Sequence, residues 1–264
     1  MKYLAVCGLV LAMAVPAMAV PTVQISLGVR ETGQTGNIGD FMPNAGGQIE
    51  WFDYDVQTLV LDGTWQQFTF DISNTGITTS PLFTGDGSIS QDRGTLEHIR
   101  IKSTGYRTPT LWVDEIRNIY DPAGPPPVVD QLISTFADDV TNPGNPYPDG
   151  TEVMFQEPGF SGSTNANYDL SGPNKSGIDN TVGYDDSHSV KIEFWFIDND
   201  PSRWIRLTPY LAGGNPEANP LLAEAGGPTA AYASSMVTFW MMGIPEPATL
   251  ALLALGGLAV LRRR

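Results

Sequence analysis

Residues 65–72 read Trp65-Gln66-Gln67-Phe68-Thr69-Phe70-Asp71-Ile72, and their alternation decides the fold class. With a period of two, Phe68, Phe70 and Ile72 fall on one face and Trp65, Gln67 and Thr69 on the other. Outward from this stretch the same pattern returns. Val23, Ile25 and Leu27 alternate with polar neighbours, as do the residues of Glu97–Ile101, and Leu111–Ile116 forms a further strand. Later come Leu132–Phe136, Val153–Gln156, Lys191–Phe196 and Trp204–Thr208. In Lys191–Phe196 the inward set is Ile192, Phe194 and Phe196, so Glu193 and Trp195 point the other way. Glycine (28) and proline (21) are abundant, and no helical stripe appears outside the two ends. Short strands joined by turns predict an all-β chain, a jelly roll or β-sandwich.

Both ends read differently. Lys2 precedes an apolar run from Tyr3 to Val15, then Pro16 and the triplet Ala17-Met18-Ala19. A cation, a short apolar region and an A-x-A site predict a signal helix over 1–19, cut by signal peptidase after Ala19. At ~1.5 Å per residue the run reaches about 20 Å, short of the ~30 Å hydrocarbon core. The only cysteine, Cys7, leaves with it, so the expected mature chain has no disulfide and no thiol chemistry. At the other end Pro245-Glu246-Pro247 breaks the chain, Ala248 to Leu261 is uncharged, and Arg262, Arg263 and Arg264 follow at once. Such an order predicts a hydrophobic anchor helix with its arginines towards the cytoplasm.

Acidic residues outnumber basic ones 29 to 14, a net charge of −15. Four of the bases, Lys2 and Arg262–Arg264, lie in the end segments, so the stretch between is more acidic still. That field repels phosphate backbones, which excludes nucleic acid as a partner and suits a solvated exported surface.

The tail of tripeptide, apolar run and basic end, in a chain that opens on a signal peptide, resembles the PEP-CTERM sorting signal. The resemblance covers about the last 20 residues, 245–264. It implies processing by an exosortase after export, with Pro245, Glu246, Pro247 and Arg262–Arg264 as the sorting elements. The implied destination is the cell surface, outer envelope or extracellular matrix of a Gram-negative bacterium, after transient membrane anchoring.

Between the ends, Pro122–Val129 (PAGPPPVV) divides two β segments. The reading is 20–121, a Pro-rich linker over 122–130, 131–225, a spacer over 226–244, and the sorting signal. The stretches GTWQQFTFDI (63–72), LWVDEIRNIYD (111–121) and ISTFADD (133–139) resemble strands of carbohydrate-binding-type jelly rolls. In such modules ISTFADD-like strands open the fold and LWVDEIRNIYD-like strands close it; here the closing half comes first. One permuted jelly roll would let each half cover the other's open edges. Two small sandwiches are the alternative.

Chemistry is sparse. His98 and His188 lack a nucleophile elbow, since Gly159-Phe160-Ser161-Gly162-Ser163 misses the final glycine of G-x-S-x-G, and both read as surface histidines. Two histidines without a cysteine argue against zinc. The carboxylate pairs read as turn formers and solubility charges. The jelly-roll resemblance implies a structural calcium where opening and closing strands meet, at Asp114 and Asp138, although Ala137 stands where an acidic ligand is frequent. Trp65, Trp195 and, less clearly, Trp51 read as a sugar platform, since an aromatic face packs on a pyranose ring. Equally, an outward tryptophan can lie under a loop. The expected function is non-enzymatic: a surface-sorted β-sandwich that binds extracellular polysaccharide. The alternatives are a purely structural matrix protein without ligand and a degenerate carbohydrate-active enzyme, which would need a cleft with two facing carboxyls.

Overall fold

A computed structural model describes residues 20–32, 50–71, 77–79, 93–120, 129–134, 136, 153–160, 166–185, 187–211 and 236–245. Two antiparallel sheets dominate, and no helix occurs among the described residues. The first sheet has the order β11 (Trp204–Leu207), β5 (Arg93–Ser103), β1 (Thr22–Thr32), β2 (Glu50–Val60) and β4 (Ile77–Thr79). The second runs β3 (Gln66–Asp71), β13 (Met236–Pro245), β6 (Pro109–Tyr120), β10 (Ser189–Phe194) and β9 (Asn174–Asp179). Strand β7 (Val129–Ser134) also pairs with β6, and β8 (Val153–Phe155) with β12 (Pro209–Leu211). Strands from both sides of the Pro-rich stretch thus share each large sheet.

The alternating residues do what their period requires. Val23, Ile25 and Leu27 of the first sheet and Phe68, Phe70, Ile192 and Phe194 of the second belong to one buried cluster. Phe239 stacks on both Phe68 and Phe70, with ring centroids 5.8 and 5.7 Å apart. A sheet pair closing one apolar layer from both faces is a β-sandwich.

Strand β6 is divided by a bulge. Glu115 takes a φ of 47°; the pairing with β13 shifts register across it, between Asp114 and Arg117, and that with β7 just after it, between Ile116 and Arg117. On one edge of β6, Thr110–Val113 pair with β10 and Ile116–Tyr120 with β7. A bulge of this kind bends the strand and redirects the neighbouring side chains.

Three expectations need correction. Residues 236–244 of the expected spacer form most of β13, a strand between β3 and β6 that ends on Pro245. Its sequence is apolar on both faces, which an interior strand with a covered outer side allows. Val129 and Asp130, placed in the linker, begin β7. His98 is not a surface residue: it is fully buried, its imidazole lying over Gly28 of the paired strand. A Cβ on Gly28 would approach that ring to 2.1 Å, so only glycine leaves it room. The two helices expected at the ends fall outside the described residues.

Candidate functional site

The side of the second sheet turned away from the core carries the aromatic residues. On β13, direct pairing with Phe68 and Phe70 turns Phe239 and Val237 inward, so Trp240 and Met242 face out. Their partners on β6, Asp114 and Trp112, share that face. Tyr184, from the connection between β9 and β10, lies over it.

Asp114 fixes this connection. Its carboxylate accepts hydrogen bonds from the Glu115 amide at 2.7 Å and the Tyr184 amide at 2.6 Å. The residue is buried, so the two charge-assisted bonds compensate a carboxylate that would otherwise be costly. Tyr184, held from its backbone, lays its ring on Trp240, with centroids 3.7 Å apart and planes 12° off parallel. Trp65 meets Tyr184 edge-on at 6.3 Å and 74°. Tyr184 remains 40% exposed, so the cluster presents an aromatic edge to solvent.

Beside it, across β10 and β9, lies an open groove of about 430 Å³ lined by Glu157, Lys175, Asp179, Asn180, Lys191 and Glu193, among others. Its floor is organised by Asp179, which accepts the Trp112 indole N–H at 2.9 Å and the Thr181 amide and hydroxyl. Burial opposes the charged form of Asp179, but the Thr181 hydroxyl, the Trp112 indole, the Thr181 amide and nearby Lys191 outweigh it and hold the carboxyl below its ordinary range. Lys191 pairs with Glu193 at 3.3 Å and lies 5.8 Å from the Trp112 ring centre. Fixed donors and acceptors beside aromatic rings are what a sugar's hydroxyls and C–H faces require.

The expected platform residues separate. Trp65 joins the cluster just described. Trp195 does point away from Phe194 and Phe196, yet it is only half exposed, under the 169–172 turn. A Cβ on Gly172 would stand 2.7 Å from its ring, and the Arg107 guanidinium lies 5.6 Å from the ring centre. Trp51 belongs to β2, but its side chain is not among those described. Of the expected calcium pair, Asp114 is engaged by the two amides, and Asp138 lies outside the described residues. Among the described residues, no group of three or more His, Cys, Asp or Glu is placed to hold a metal ion.

Tyr184 and Trp240 escaped the sequence reading. Trp240 hid in the apolar stretch taken as a spacer, and Tyr184 in the acidic loop Gly183–Ser187. Their contact spans 56 residues, so no local pattern signals it.

Of the sorting residues, Pro245 is the last residue of β13, opposite Pro109 of β6. Ala17, Ala19, Glu246, Pro247 and Arg262–Arg264 lie outside the described residues. No match to a curated protein or to a solved structure was found. The model of the PEP-CTERM protein-sorting motif matches residues 238–264, from within β13 to the terminal arginines. The chain therefore carries a PEP-CTERM protein-sorting motif, the signal of an exported protein held by a C-terminal membrane anchor until an exosortase processes it.

Proposed function

We propose that the chain is cut after Ala19 by signal peptidase, sorted by an exosortase to the outer envelope or extracellular matrix, and there binds polysaccharide without catalysis. The binding surface is the outer side of the second sheet. The observation that carries this reading is the Trp65–Tyr184–Trp240 cluster, an exposed ring fixed by a buried carboxylate next to a polar groove. In this reading Asp114 serves as the loop's anchor rather than as a calcium ligand. The sandwich is a single permuted jelly roll. Supporting that, the opening-type strand β7 pairs with the closing-type strand β6, and β13 and β10 flank β6.

Residues 20–247 are the form to test, on a glycan array and in pull-downs with insoluble polysaccharides. Retention on at least one polysaccharide is expected. The second reading, a matrix protein without ligand, is favoured by Trp195 and Trp112 both being covered. Absence of retention across the whole set would decide for it.

A further inference from the structure

Both ends of the described chain leave the sandwich at one pole. Pro245 closes β13 opposite Pro109, and Gly63 donates to the Gly243 carbonyl at 2.9 Å. At the start of the chain, the Leu61 amide donates to Pro21, and the Thr104 hydroxyl to Thr22. The connection Thr104–Thr108 and the segment after β10 meet there as well. The Phe196 amide bonds the Arg107 carbonyl at 2.8 Å, and the Ile197 amide the Asn167 carbonyl at 2.9 Å.

Three large apolar side chains stand out at this pole: Leu170 is 82% exposed, Val20 53% and Ile197 44%. Leu170 is held out by a tight turn, in which Gly172 bonds the Asp169 carbonyl and Asp169 itself pairs with Arg107. Nothing among the described residues covers these side chains, and the chain's own geometry says what does. From Pro245 to Ala248, the first residue of the apolar tail, are three residue steps, at most about 11 Å fully extended. Arg107 lies two residues before Pro109, on the connection from β5, and its carbonyl takes the Phe196 amide, so Phe196 and its neighbour Ile197 lie close to the level at which β13 ends, with at most about 7 Å of chain between Arg107 and Pro109. An anchored tail thus brings Leu170 and Ile197 level with the lipid surface.

We propose that this pole is a membrane-docking face, with Leu170 and Ile197 lying in the lipid headgroup layer while the tail holds the chain. The proposal rests on residues 248–261 acting as the anchor. Among the described residues the pole carries the pairs Arg107–Asp169 and Arg203–Asp198, Lys102 beside Ser103, and Asp62 and Asp200 engaged in their own turns. Acids exceed bases there, so the fitting surface is zwitterionic rather than anionic lipid. Two apolar side chains bind weakly by themselves, and tethering supplies the high effective concentration that makes the contact persist.

The test uses the full chain carrying Cys7→Ala, with a single fluorophore-labelled cysteine at Ser171 or, as control, at Asp71. Asp71 lies opposite Met236, nine residues back along β13 and so about 30 Å from the pole. The chain is reconstituted into phosphatidylcholine vesicles with brominated acyl chains. Expected is flotation with the vesicles and several-fold stronger quenching at position 171 than at 71. In the Leu170→Asp, Ile197→Asp chain flotation persists and quenching at 171 falls to the control level. A floating chain with an unquenched label at 171 would overturn the proposal, as would quenching indifferent to the two aspartates. A full chain that does not float removes the anchor, and the docking with it.

Discussion

Strands β3 and β13 pair residue for residue from Gln66 with Met241 to Asp71 with Met236, yet their sequences look unlike. β3 alternates cleanly: Phe68 and Phe70 are buried while Gln67 and Thr69 are exposed. β13 is apolar or buried almost throughout, with Thr238 covered and Trp240 half covered by Tyr184. The cause is position. β3 forms the end of its sheet and keeps a wet outer face, whereas β13 lies between two strands with Tyr184 over its outer side. A strand's pattern therefore records what covers it as much as which way its residues point.

The comparison breaks most easily by removing β13. A chain ending at residue 235 leaves β3 without its partner and opens the core, so it should show no cooperative unfolding by circular dichroism. A chain ending at 247 should melt like the folded part of the full protein. Within the pair, Phe239→Ala should cost about 3–5 kcal/mol in denaturant unfolding, since its ring stacks on both Phe68 and Phe70. Thr69→Ala, on the wet face of β3, should change stability by less than about 0.5 kcal/mol. Comparable costs for the two would mean that β3 is covered as β13 is.

The same contrast explains how much was legible. Alternation alone placed Phe68, Phe70, Ile192 and Phe194 in the core, because each lies on a strand with one polar side, and Phe196, just past the end of β10, continues the same inward set. It could not say whether the other side is wet. Trp195 points out and is roofed by Gly172; His98 shares a strand with Arg100 and Lys102 and is nevertheless buried. Both outcomes depend on chain far away in sequence. β13 failed for the complementary reason, since a stretch apolar on both sides has no period to read and here runs straight into the sorting motif.

Smaller effects sharpen the comparison. Asp114→Ala leaves the part-buried amides of Glu115 and Tyr184 without this acceptor, at a cost on the order of 1 kcal/mol. Hydrogen exchange should then quicken at Tyr184 before the sheet amides follow. The mildest change concerns Asp198, whose carboxyl is lowered from 3.8 to about 2, first by the Arg203 side chain and then by the Asp200 amide. A carboxyl held low when folded stabilises above its unfolded value and loses that contribution as pH falls from 3.8 towards 2. Asp198→Asn should flatten the melting-temperature profile across that interval, lying below the parent by a constant offset above it and converging with the parent at its acid end. An identical acid slope in the variant would show that the Arg203 pair contributes nothing.

The most direct measurement pairs two aromatic substitutions in residues 20–247, reading polysaccharide affinity and unfolding free energy on the same samples. Tyr184→Ala should weaken binding about tenfold, roughly 1.4 kcal/mol, and cost about 1 kcal/mol of stability for the lost stacking on Trp240. Trp195→Ala should leave binding intact and cost about 2 kcal/mol of stability, less than a fully buried aromatic. The reverse outcome, with affinity lost at Trp195 and unaffected at Tyr184, would contradict the assignment of the outer face of the second sheet as the binding surface.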